Sequence, residues 1–339
     1  MLHNEIEEIV LSRVTPSKDD REKLEETIEE VTEKVREELN SRGINAEIEL
    51  VGSTAKDTYL KDNLDIDVFL VYPRNLNREL IAEYTLSIGR KLLENTEECY
   101  AEHPYIRGYF KEFKIEIVPC YRIEDASQRK SAVDRTPLHT RFIKSNLKEY
   151  QKQEVRLLKQ FLRGIGCYGA EAEIQGFSGY LCELLIIKYD NFRTLLSKVK
   201  NWRYGETIKF YDNAIPSFDT PLIVIDPVDK DRNAAAAVSK EKFDLFTIAA
   251  REYLEKPRVT FFFPNPVIPW SLKEIGEKMH TAKYIGIRFR KPDILSENLY
   301  PQIRKTMKSI RRYSEKQGFK IHDIKFHINK YIYLSLIHI

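Results

Sequence analysis

Residues 52–73 read GSTAKDTYLKDNLDIDVFLVYP, and a pair of aspartates in this stretch decides the fold that the sequence predicts. Asp65 and Asp67 stand one residue apart and lead into the apolar run at 68–71. Residues i and i+2 of a strand point to the same face, so the two carboxylates would lie side by side. Carboxylates that close repel each other unless a cation lies between them, and Mg²⁺ prefers oxygen ligands of this kind. A turn cap beside a solvent-facing acid gives the same short pattern, so the pair alone does not decide between the two readings.

Two further features favour a metal site that also binds phosphate. Gly52 and Ser53 follow the predicted strand AEIELV and open a short helical stretch over 54–60, where free backbone N–H groups suit an anion. Ser53 adds a hydroxyl donor and Lys56 a positive charge. Glu116 stands between two isoleucines in FKIEIVPCY, and a charged group in an apolar strand needs a partner. Three acids beside a phosphate loop are the groups that two-metal nucleotidyl transfer requires.

The hydrophobic periodicity predicts an α+β protein with several domains. Residues 1–147 combine an amphipathic helix over 17–42 with alternating segments, which predicts a mixed sheet. Residues 148–256 are mostly helical, with a turn-rich segment at 216–227. Residues 257–339 predict the order βαβαββ, which is typical of small RNA-binding domains. The predicted elements include strands at 97–105, 259–263, 283–289, 320–328 and 331–338, a hairpin turning at 111–112, and helices at 271–280 and 297–317.

Composition and charge narrow the classes of function. The chain has 339 residues, of which 42% are apolar, enough for a sizeable core. We expect a cytoplasmic protein without a membrane span or signal peptide, because the long apolar runs that these require are missing. The four cysteines lack zinc-ligand spacing and are expected to be reduced. Residues 1–150 hold 23 basic and 31 acidic residues, whereas residues 257–339 hold 16 basic and 6 acidic ones, which predicts a polyanion bound by the C-terminal third.

The Gly-Ser and Asp-x-Asp pattern resembles the DNA polymerase β nucleotidyltransferase superfamily. More specifically, the blocks VGSTAKDTYLKDNLDIDVFLVYP, YAEHPYIRG, IVPCYRI, KSAVDRTPLHTRFI, EVRLLKQFL, YGAEAEIQGFSGYLCELLI, VIDPVDKDRNAAA and RFRKPDILSENLYPQ resemble, in this order, the archaeal-type (class I) CCA-adding enzymes. The resemblance implies a polymerase β-like catalytic head at 1–147, a helical central domain at 148–256 that selects the nucleobase, and a basic α+β tRNA-binding domain at 257–339. The implied reaction is the template-independent addition of C, C and A to the tRNA 3′ end from CTP and ATP, with two Mg²⁺ ions and release of pyrophosphate.

Carried over position by position, the resemblance assigns Asp65, Asp67 and Glu116 to the metal ions and the chemistry. Arg232 would read the incoming base, since its planar fork can donate to cytosine and to adenine. His103 would lie near the RNA 3′ end. The implied nucleotide-binding residues are Gly52, Ser53, Lys56, Thr136, His139, Lys159, Tyr168 and Arg232. The candidates for tRNA contacts are Lys283, Arg288, Arg290, Lys291, Arg304, Lys305, Lys308, Arg311 and Arg312.

Several of these residues also have plainer interpretations. Lys159 could face solvent from an amphipathic helix, and Tyr168 could be a core tyrosine with a solvated hydroxyl. Arg232 could form a surface ion pair with a neighbouring aspartate, which would contribute little. His139 could simply be a residue at a helix start.

The sequence also departs from the family at specific points. Glu116 stands where aspartate is more common, and Lys56 replaces a frequent arginine, which exchanges a bidentate fork for a point charge. The family's chain continues beyond residue 339, and the apolar ending KYIYLSLIHI predicts a C-terminal truncation. The alternatives in function are a poly(A) polymerase-like enzyme that accepts ATP alone and a catalytically silent RNA-binding relative. A homodimer is compatible with the sequence.

Overall fold

The computed structural model describes residues 2–100, 103–212, 216–278 and 283–338. The chain divides into two compact units, Met1–Ala170 with Gly176–Pro264, and Glu171–Gln175 with Asn265–Ile339. The first unit contains a mixed sheet and a large helical core. The second contains a three-stranded sheet and one long helix.

The first unit is built on a five-stranded mixed sheet, as the sequence predicts. Its strands are β1 (Glu47–Val51), β2 (Ile66–Tyr72), β3 (Glu94–Tyr100), β4 (Pro104–Phe110) and β5 (Phe113–Tyr121). The strand order is β1-β2-β5-β4-β3, in which only the β2–β5 pair is parallel. The predicted hairpin joins β4 and β5 and turns at Lys111, whose φ is 54°. Ala101 and Glu102 of the predicted strand 97–105 lie outside the described residues.

The two faces of this sheet carry different side chains, and this difference positions the acids. Ile66, Val68 and Leu70 of β2 are buried in the cluster that contains helices α2 (Lys18–Ser41) and α3 (Arg78–Leu92). Because side chains alternate along a strand, Asp67 lies on the opposite face with Phe69. That second face packs into a smaller apolar cluster with Val118 of β5. The acids therefore lie on the side of the sheet away from α2 and α3.

The rest of the first unit is a helical core. Helix α1, which the periodicity analysis did not predict, contributes Ile6, Val10 and Val14, all buried at four-residue spacing. Ser239 caps α8 by accepting a hydrogen bond from the backbone N–H of Lys242. The helices are α1 (Leu2–Val14), α4 (Thr136–Asn146), α5 (Gln151–Gly164), α6 (Gly179–Tyr189), α7 (Phe192–Val199) and α8 (Lys240–Glu255).

Two predicted segments in this unit are wrong. The turn-rich segment at 216–227 contains a fully buried strand, β7 (Leu222–Asp226), between β6 (Glu206–Ile208) and β8 (Asp229–Asn233). A proline flanks this strand on either side, and prolines favour turns. The five consecutive apolar or acidic residues between them were therefore not predicted to form a strand. The helical stretch expected over 54–60 is only a 3₁₀ turn, Thr54–Lys56, because Asp57 takes a left-handed φ of 51° and ends it.

The strand predicted at 259–263 is also wrong, and so is the βαβαββ order that it began. Val259–Phe261 forms a 3₁₀ turn in the first unit. Phe262 is fully buried against Phe161 of α5, and its carbonyl accepts a hydrogen bond from Gln160 at 2.7 Å. A β-branched and aromatic run favours a strand locally, but here the helical core satisfies both its side chains and its backbone.

The second unit keeps the remaining predicted elements. They are α9 (Leu272–Lys278), β9 (Lys283–Arg290), α10 (Ser296–Lys316), β10 (Ile321–Ile328) and β11 (Tyr331–His338), in the sheet order β10-β11-β9. Residues 279–280 of the predicted helix 271–280 lie outside the described residues. Leu299 and Ile303 of α10 pack against Ile332 and Leu334 of β11 and form a small core. None of the described helices of either unit has the length and hydropathy that a bilayer span requires.

Candidate active site

The strand register brings two of the predicted acids directly together. Asp67 on β2 is the parallel partner of Glu116 on β5, and on its other side it pairs with Val51 of β1. Asp65 precedes β2 on the same face. Arg107 of β4, the register partner of Glu116, donates to its Oε1 from Nε at 2.7 Å. The sequence predicted the acids, and the sheet adds an arginine that none of the motifs singled out.

The environment of Asp67 suits a divalent cation. The pKa of Asp67 is raised to about 7, first by burial and then by the negative charges of Glu116 and Asp65. A cation between these oxygens would remove the repulsion, and carboxylates are ligands that Mg²⁺ prefers. In the part of the chain that the structure describes, no three acidic, histidine or cysteine side chains already converge at metal-binding distance. Glu116 is held instead by Arg107, and Lys114 lies 3.6 Å from Asp65.

Gly52 lies directly over the Asp67 carboxylate. Its φ is 73°, and a Cβ built on it would lie 1.9 Å from Oδ2 of Asp67. Only glycine therefore fits both the backbone conformation and the space. The turn Thr54–Lys56 follows, and the Ser53 side chain makes no capping hydrogen bond there. The predicted phosphate loop and the predicted metal-binding carboxylates thus lie next to each other.

A cavity of about 320 Å³ beside the loop collects most of the predicted nucleotide-binding residues. Tyr180, Thr140 and Glu183, which the motifs did not single out, also line it. The predicted residues at its wall are Gly52, Ser53, Lys56, Thr136, His139, Lys159 and Tyr168. These residues come from segments more than 100 positions apart, and the fold brings them to one concave surface.

The two predicted phosphate-binding lysines share one buried carboxylate. Lys56 donates to Oε2 of Glu183 at 2.6 Å, and Thr58 donates to Oε1 at 2.6 Å. Lys159 donates to the Thr58 carbonyl at 2.8 Å, and its Nζ lies 3.6 Å from Oε1 of Glu183. The Lys159 side chain is 2% exposed, so the solvent-facing interpretation of this lysine is wrong.

Arg232 is tied to a second buried carboxylate, Asp226. It donates from Nη1 to Asp226 Oδ2 at 2.6 Å, and His139 Nε2 lies 3.0 Å from the same oxygen. Tyr180 donates to Oδ1 at 2.9 Å and stacks on the His139 ring. Burial alone would raise the pKa of Asp226, but the hydrogen bond from His139 and the charge of Arg232 lower it to about 2. Burial lowers the pKa of His139 in spite of this carboxylate.

Neither Asp226 nor Tyr180 was predicted from the sequence as a site residue, although one feature of the sequence pointed to Asp226. Asp226 ends the apolar run LIVID, where a charged residue needs a partner just as Glu116 does. The expected neighbour of Arg232 was a flanking aspartate of the same loop. The partner is instead a fully buried acid across the β7–β8 turn, which changes a surface pair into part of a buried network.

His103 does not face the cavity. Its side chain is 2% exposed and packs edge-on against Tyr121, with ring centroids 5.9 Å apart. Access of RNA to this imidazole would require the surrounding core to open. Among the residues that the structure describes, His103 therefore exposes almost no surface for an RNA end.

The predicted tRNA-binding residues divide between two faces of the second unit. Lys305, Lys308 and Arg312 are exposed along one stripe of α10, at three- and four-residue spacing. Arg288 and Arg290 alternate with Ile287 on β9, and Ile287 pairs with Leu334 on the face that α10 covers, so the two arginines point to the other face. Lys283 and Lys291 are exposed at the two ends of β9.

Two of the remaining candidates are engaged within the second unit itself. Arg304 donates to the carbonyls of Ala172 and Glu173. Arg311 donates to the Ile321 carbonyl at 3.5 Å. Backbone carbonyls thus already accept hydrogen bonds from both guanidinium groups.

The fold and the paired acids define a nucleotidyltransferase. A family model described as nucleotidyltransferase domain matches residues 32–139, and a model of the tRNA nucleotidyltransferase second domain matches residues 153–263. Solved structures with the same fold include an Escherichia coli CdnC with ATP (TM-score 0.57, 18% identity, 76% of this chain and 94% of that chain). A cytoplasmic RNA terminal U-transferase has a TM-score of 0.58 at 12% identity, over 78% of this chain and 100% of the other.

Curated relatives narrow this class to one family. A CCA-adding enzyme of Methanosarcina barkeri is 39% identical over 323 residues, covering 94% of this chain and 71% of its own length. Those of Haloarcula marismortui and Methanocaldococcus jannaschii are 36% and 39% identical, over 92% and 97% of this chain and 67% and 77% of their own lengths. A model of the CCA-adding enzyme C-terminal domain matches residues 280–336. The chain belongs to the CCA-adding enzymes, which confirms the resemblance that its motifs suggested.

Proposed function

We propose that this protein adds C, C and A to the 3′ end of tRNA, using CTP and ATP and releasing pyrophosphate. The observation that carries the proposal is the register of Asp67 with Glu116 beside a cavity lined by Lys56 and Lys159. Asp65, Asp67 and Glu116 would hold Mg²⁺, which when bound activates the RNA 3′-hydroxyl and neutralises the triphosphate. A poly(A) polymerase-like activity is less well supported, because CCA-adding enzymes align with 92 to 97% of this chain and a model of their C-terminal domain matches residues 280–336.

The residues of the chain have separable tasks in this proposal. Gly52 and Ser53 offer backbone N–H groups and a hydroxyl to the phosphates, and the two lysines offer positive charge. Arg232, oriented by Asp226, donates to the Watson–Crick edge of the incoming base. His139 and Tyr180 stack at the wall of the cavity and keep water away from that edge. The basic second unit holds the tRNA through its phosphates and its A-form shape.

The proposal is tested by sequencing 3′ ends. Transcripts of tRNA that end at the discriminator base, at C or at CC are incubated with the protein, Mg²⁺ and all four NTPs. Products that end in CCA from every transcript, without further addition, support the proposal. Runs of A would support the poly(A) polymerase-like alternative, and no extension with tRNA still bound would support the silent relative.

Gly52→Ala is expected to lower the rate of CCA addition by about 100-fold, since displacement of a catalytic group by about 1 Å has an effect of this size. The new methyl group would lie 1.9 Å from Asp67 Oδ2 and must push the carboxylate away. The measurement is single-turnover addition of C to a tRNA transcript, together with the melting temperature.

Gly43→Ala is the matched control. Gly43 has a φ of 62°, but a Cβ there meets nothing within 4 Å. Both substitutions carry the strain of a left-handed backbone, about 1 kcal/mol, so Gly52→Ala should lower the melting temperature at least as much as Gly43→Ala does. An equal loss of rate in the two variants would mean that contact with Asp67 is unimportant.

The exposed stripe on α10 is proposed to grip the tRNA. Replacing Lys305, Lys308 and Arg312 by Gln should weaken tRNA binding about tenfold or more at moderate salt, and lower the slope of log K against log salt by roughly 2 to 3. Filter binding over a range of salt concentrations measures both. The double variant Arg288→Gln with Arg290→Gln, on the other face of the sheet, is the comparison, and a larger effect there would move the tRNA to that face.

A further inference from the structure

Glu183 is a fully buried acid to which neither the sequence motifs nor the matched family models assign a role. It lies in the first turns of α6, and its side chain is 1% exposed. Around it the helical core is apolar, with Leu181, Cys182 and Leu184 all fully buried. A carboxylate in such surroundings is retained in charged form only where cations and hydrogen-bond donors compensate it.

Residues at the nucleotide cavity compensate the negative charge of Glu183. Both oxygens of Glu183 are used: Oε2 accepts from Lys56, and Oε1 accepts from the Thr58 hydroxyl, each at 2.6 Å. Lys159, also buried, lies 3.6 Å from Oε1 and donates to Thr58 Oγ1 at 3.1 Å. Two cations, one anion and one hydroxyl therefore form a closed network at the wall of the cavity.

This network joins two segments of the chain that different family models match. Lys56 lies in the segment matched by the nucleotidyltransferase domain, whereas Lys159 and Glu183 lie in the segment matched by the second domain. Arg156 of α5 adds to the same junction by donating to the carbonyls of Asp57 and Tyr59. The relative position of the two lysines, which sets where a triphosphate can sit, thus depends on contacts with α5 and α6.

The charge states agree with this geometry. Burial lowers the pKa of Lys159, and the Glu183 charge opposes that shift. Burial would raise the pKa of Glu183, but Lys56 and Lys159 lower it overall. If the carboxylate were neutral, two ammonium groups would be buried near each other without a counter-charge, which would lower the pKa of Lys159 further.

We propose that Glu183 is a positioning residue for the nucleoside triphosphate, which keeps Lys56 and Lys159 charged and fixed at the wall of the cavity. The proposal rests on the proposed function, in which these lysines bind the triphosphate. Glu183 also lines the cavity, but its side chain is only 1% exposed and both its oxygens already accept hydrogen bonds, so the contact with the triphosphate is assigned to the lysines. Because the base is not involved, Glu183 affects CTP and ATP equally.

The central test is Glu183→Gln, which keeps the shape of the side chain and removes its charge. KM for CTP and KM for ATP should both rise by about tenfold, the effect of losing one charge-assisted hydrogen bond. The KM for tRNA should stay unchanged. KM for both nucleotides should also begin to rise at a lower pH than in the wild type, because Lys159 loses its proton more easily. A folded variant with unchanged nucleotide KM and an unchanged pH profile would overturn the proposal.

Two controls separate positioning from stability. Glu154→Gln changes another partly buried acid of the helical core, which accepts from the backbone N–H of Phe192 at 2.9 Å and does not line the cavity. It should leave nucleotide KM unchanged, whatever its effect on the melting temperature. If Glu183→Gln does not fold, Glu183→Asp keeps the charge with a shorter reach, and it should give a KM between those of the wild type and Lys56→Gln.

A double-mutant cycle distinguishes this inference from the proposed triphosphate site. Lys56→Gln alone should raise nucleotide KM, and adding Glu183→Gln should raise it by less than the product of the two single effects. Independent effects would mean that Glu183 does not act through Lys56 and would overturn the inference. No effect of Lys56→Gln would instead overturn the triphosphate site, whatever Glu183→Gln does.

Discussion

Asp67→Asn is expected to lower the single-turnover rate of CCA addition by at least about 1,000-fold, because removing a metal-binding carboxylate costs several kcal/mol of transition-state stabilisation. Asp67 is the acid with the most specific geometry in the site, in register with Glu116 on one side and covered by Gly52 on the other. Asparagine has nearly the same shape but lacks the charge. Binding of tRNA, which the second unit is proposed to supply, should stay within twofold of the wild type.

Asp67→Asn should lower the rate but should not lower the stability of the fold, so the melting temperature gives the test a second readout. The pKa of Asp67 is about 7 in the folded chain, against an ordinary value of 3.8, so between these pH values the folded state holds a proton that the unfolded state has lost. A carboxyl group with a raised pKa stabilises the folded state at low pH, and that contribution is lost as the pH rises through about 7. Without Mg²⁺ at about pH 8, Asp67→Asn should therefore melt at or above the wild-type temperature.

Asp62→Asn is the matched control for this prediction. Asp62 is five positions away, but it is 69% exposed and paired with Arg163 at the surface, where an ion pair contributes little. Its substitution should change neither the rate nor the melting temperature noticeably. If Asp67→Asn kept a tenth of the wild-type rate, or if both variants lost activity equally, the assignment of Asp67 to the metal site would be wrong.

Features that depend on local sequence could be predicted well. The acids at 65 and 67, the loop glycine and the hairpin at Lys111 follow from strand alternation and turn chemistry, both of which act over a few residues. The 3₁₀ turn at Val259–Phe261 was mispredicted because its aromatic run has a strand pattern, while its environment is set by α5, almost 100 positions earlier. At this turn, packing into the helical core outweighs the local strand propensity of the aromatic residues.

The buried partners could not be predicted for the same reason. Glu183 meets Lys56 across 127 positions, and Asp226 meets His139 across 87. Each is an acid inside an apolar run, so the sequence indicates that a partner is needed but not which one. The family resemblance supplied the residues that are proposed to bind the nucleotide. It did not supply the buried acids that hold those residues, because such acids take part only through tertiary contacts.

Arg232→Lys is the second substitution with a large expected effect, and it acts on base selection. A lysine at this position can keep an ion pair with Asp226, but it has no planar fork left to donate to a base. Since a bidentate contact to a base contributes about 1–3 kcal/mol of discrimination, kcat/KM for CTP and ATP should fall by roughly 10- to 100-fold. Incorporation of UTP relative to CTP should rise, as measured by sequencing the products of competition between all four NTPs.

The ion pair with Asp226 makes this substitution a sharp test. If Arg232 were only half of a structural pair, lysine would replace it with little loss, and both rate and selectivity would stay as in the wild type. Arg193→Lys is the control, because Arg193 is similarly exposed, 40% against 31%, and pairs with Glu7 at 2.7 Å outside the cavity. Asp226→Asn tests the role of the carboxylate that orients Arg232. This substitution leaves the guanidinium in place but loosens its orientation, so it should relax selectivity less than Arg232→Lys does. An equal or larger loss of selectivity would assign the base contact to the network around Asp226 as a whole.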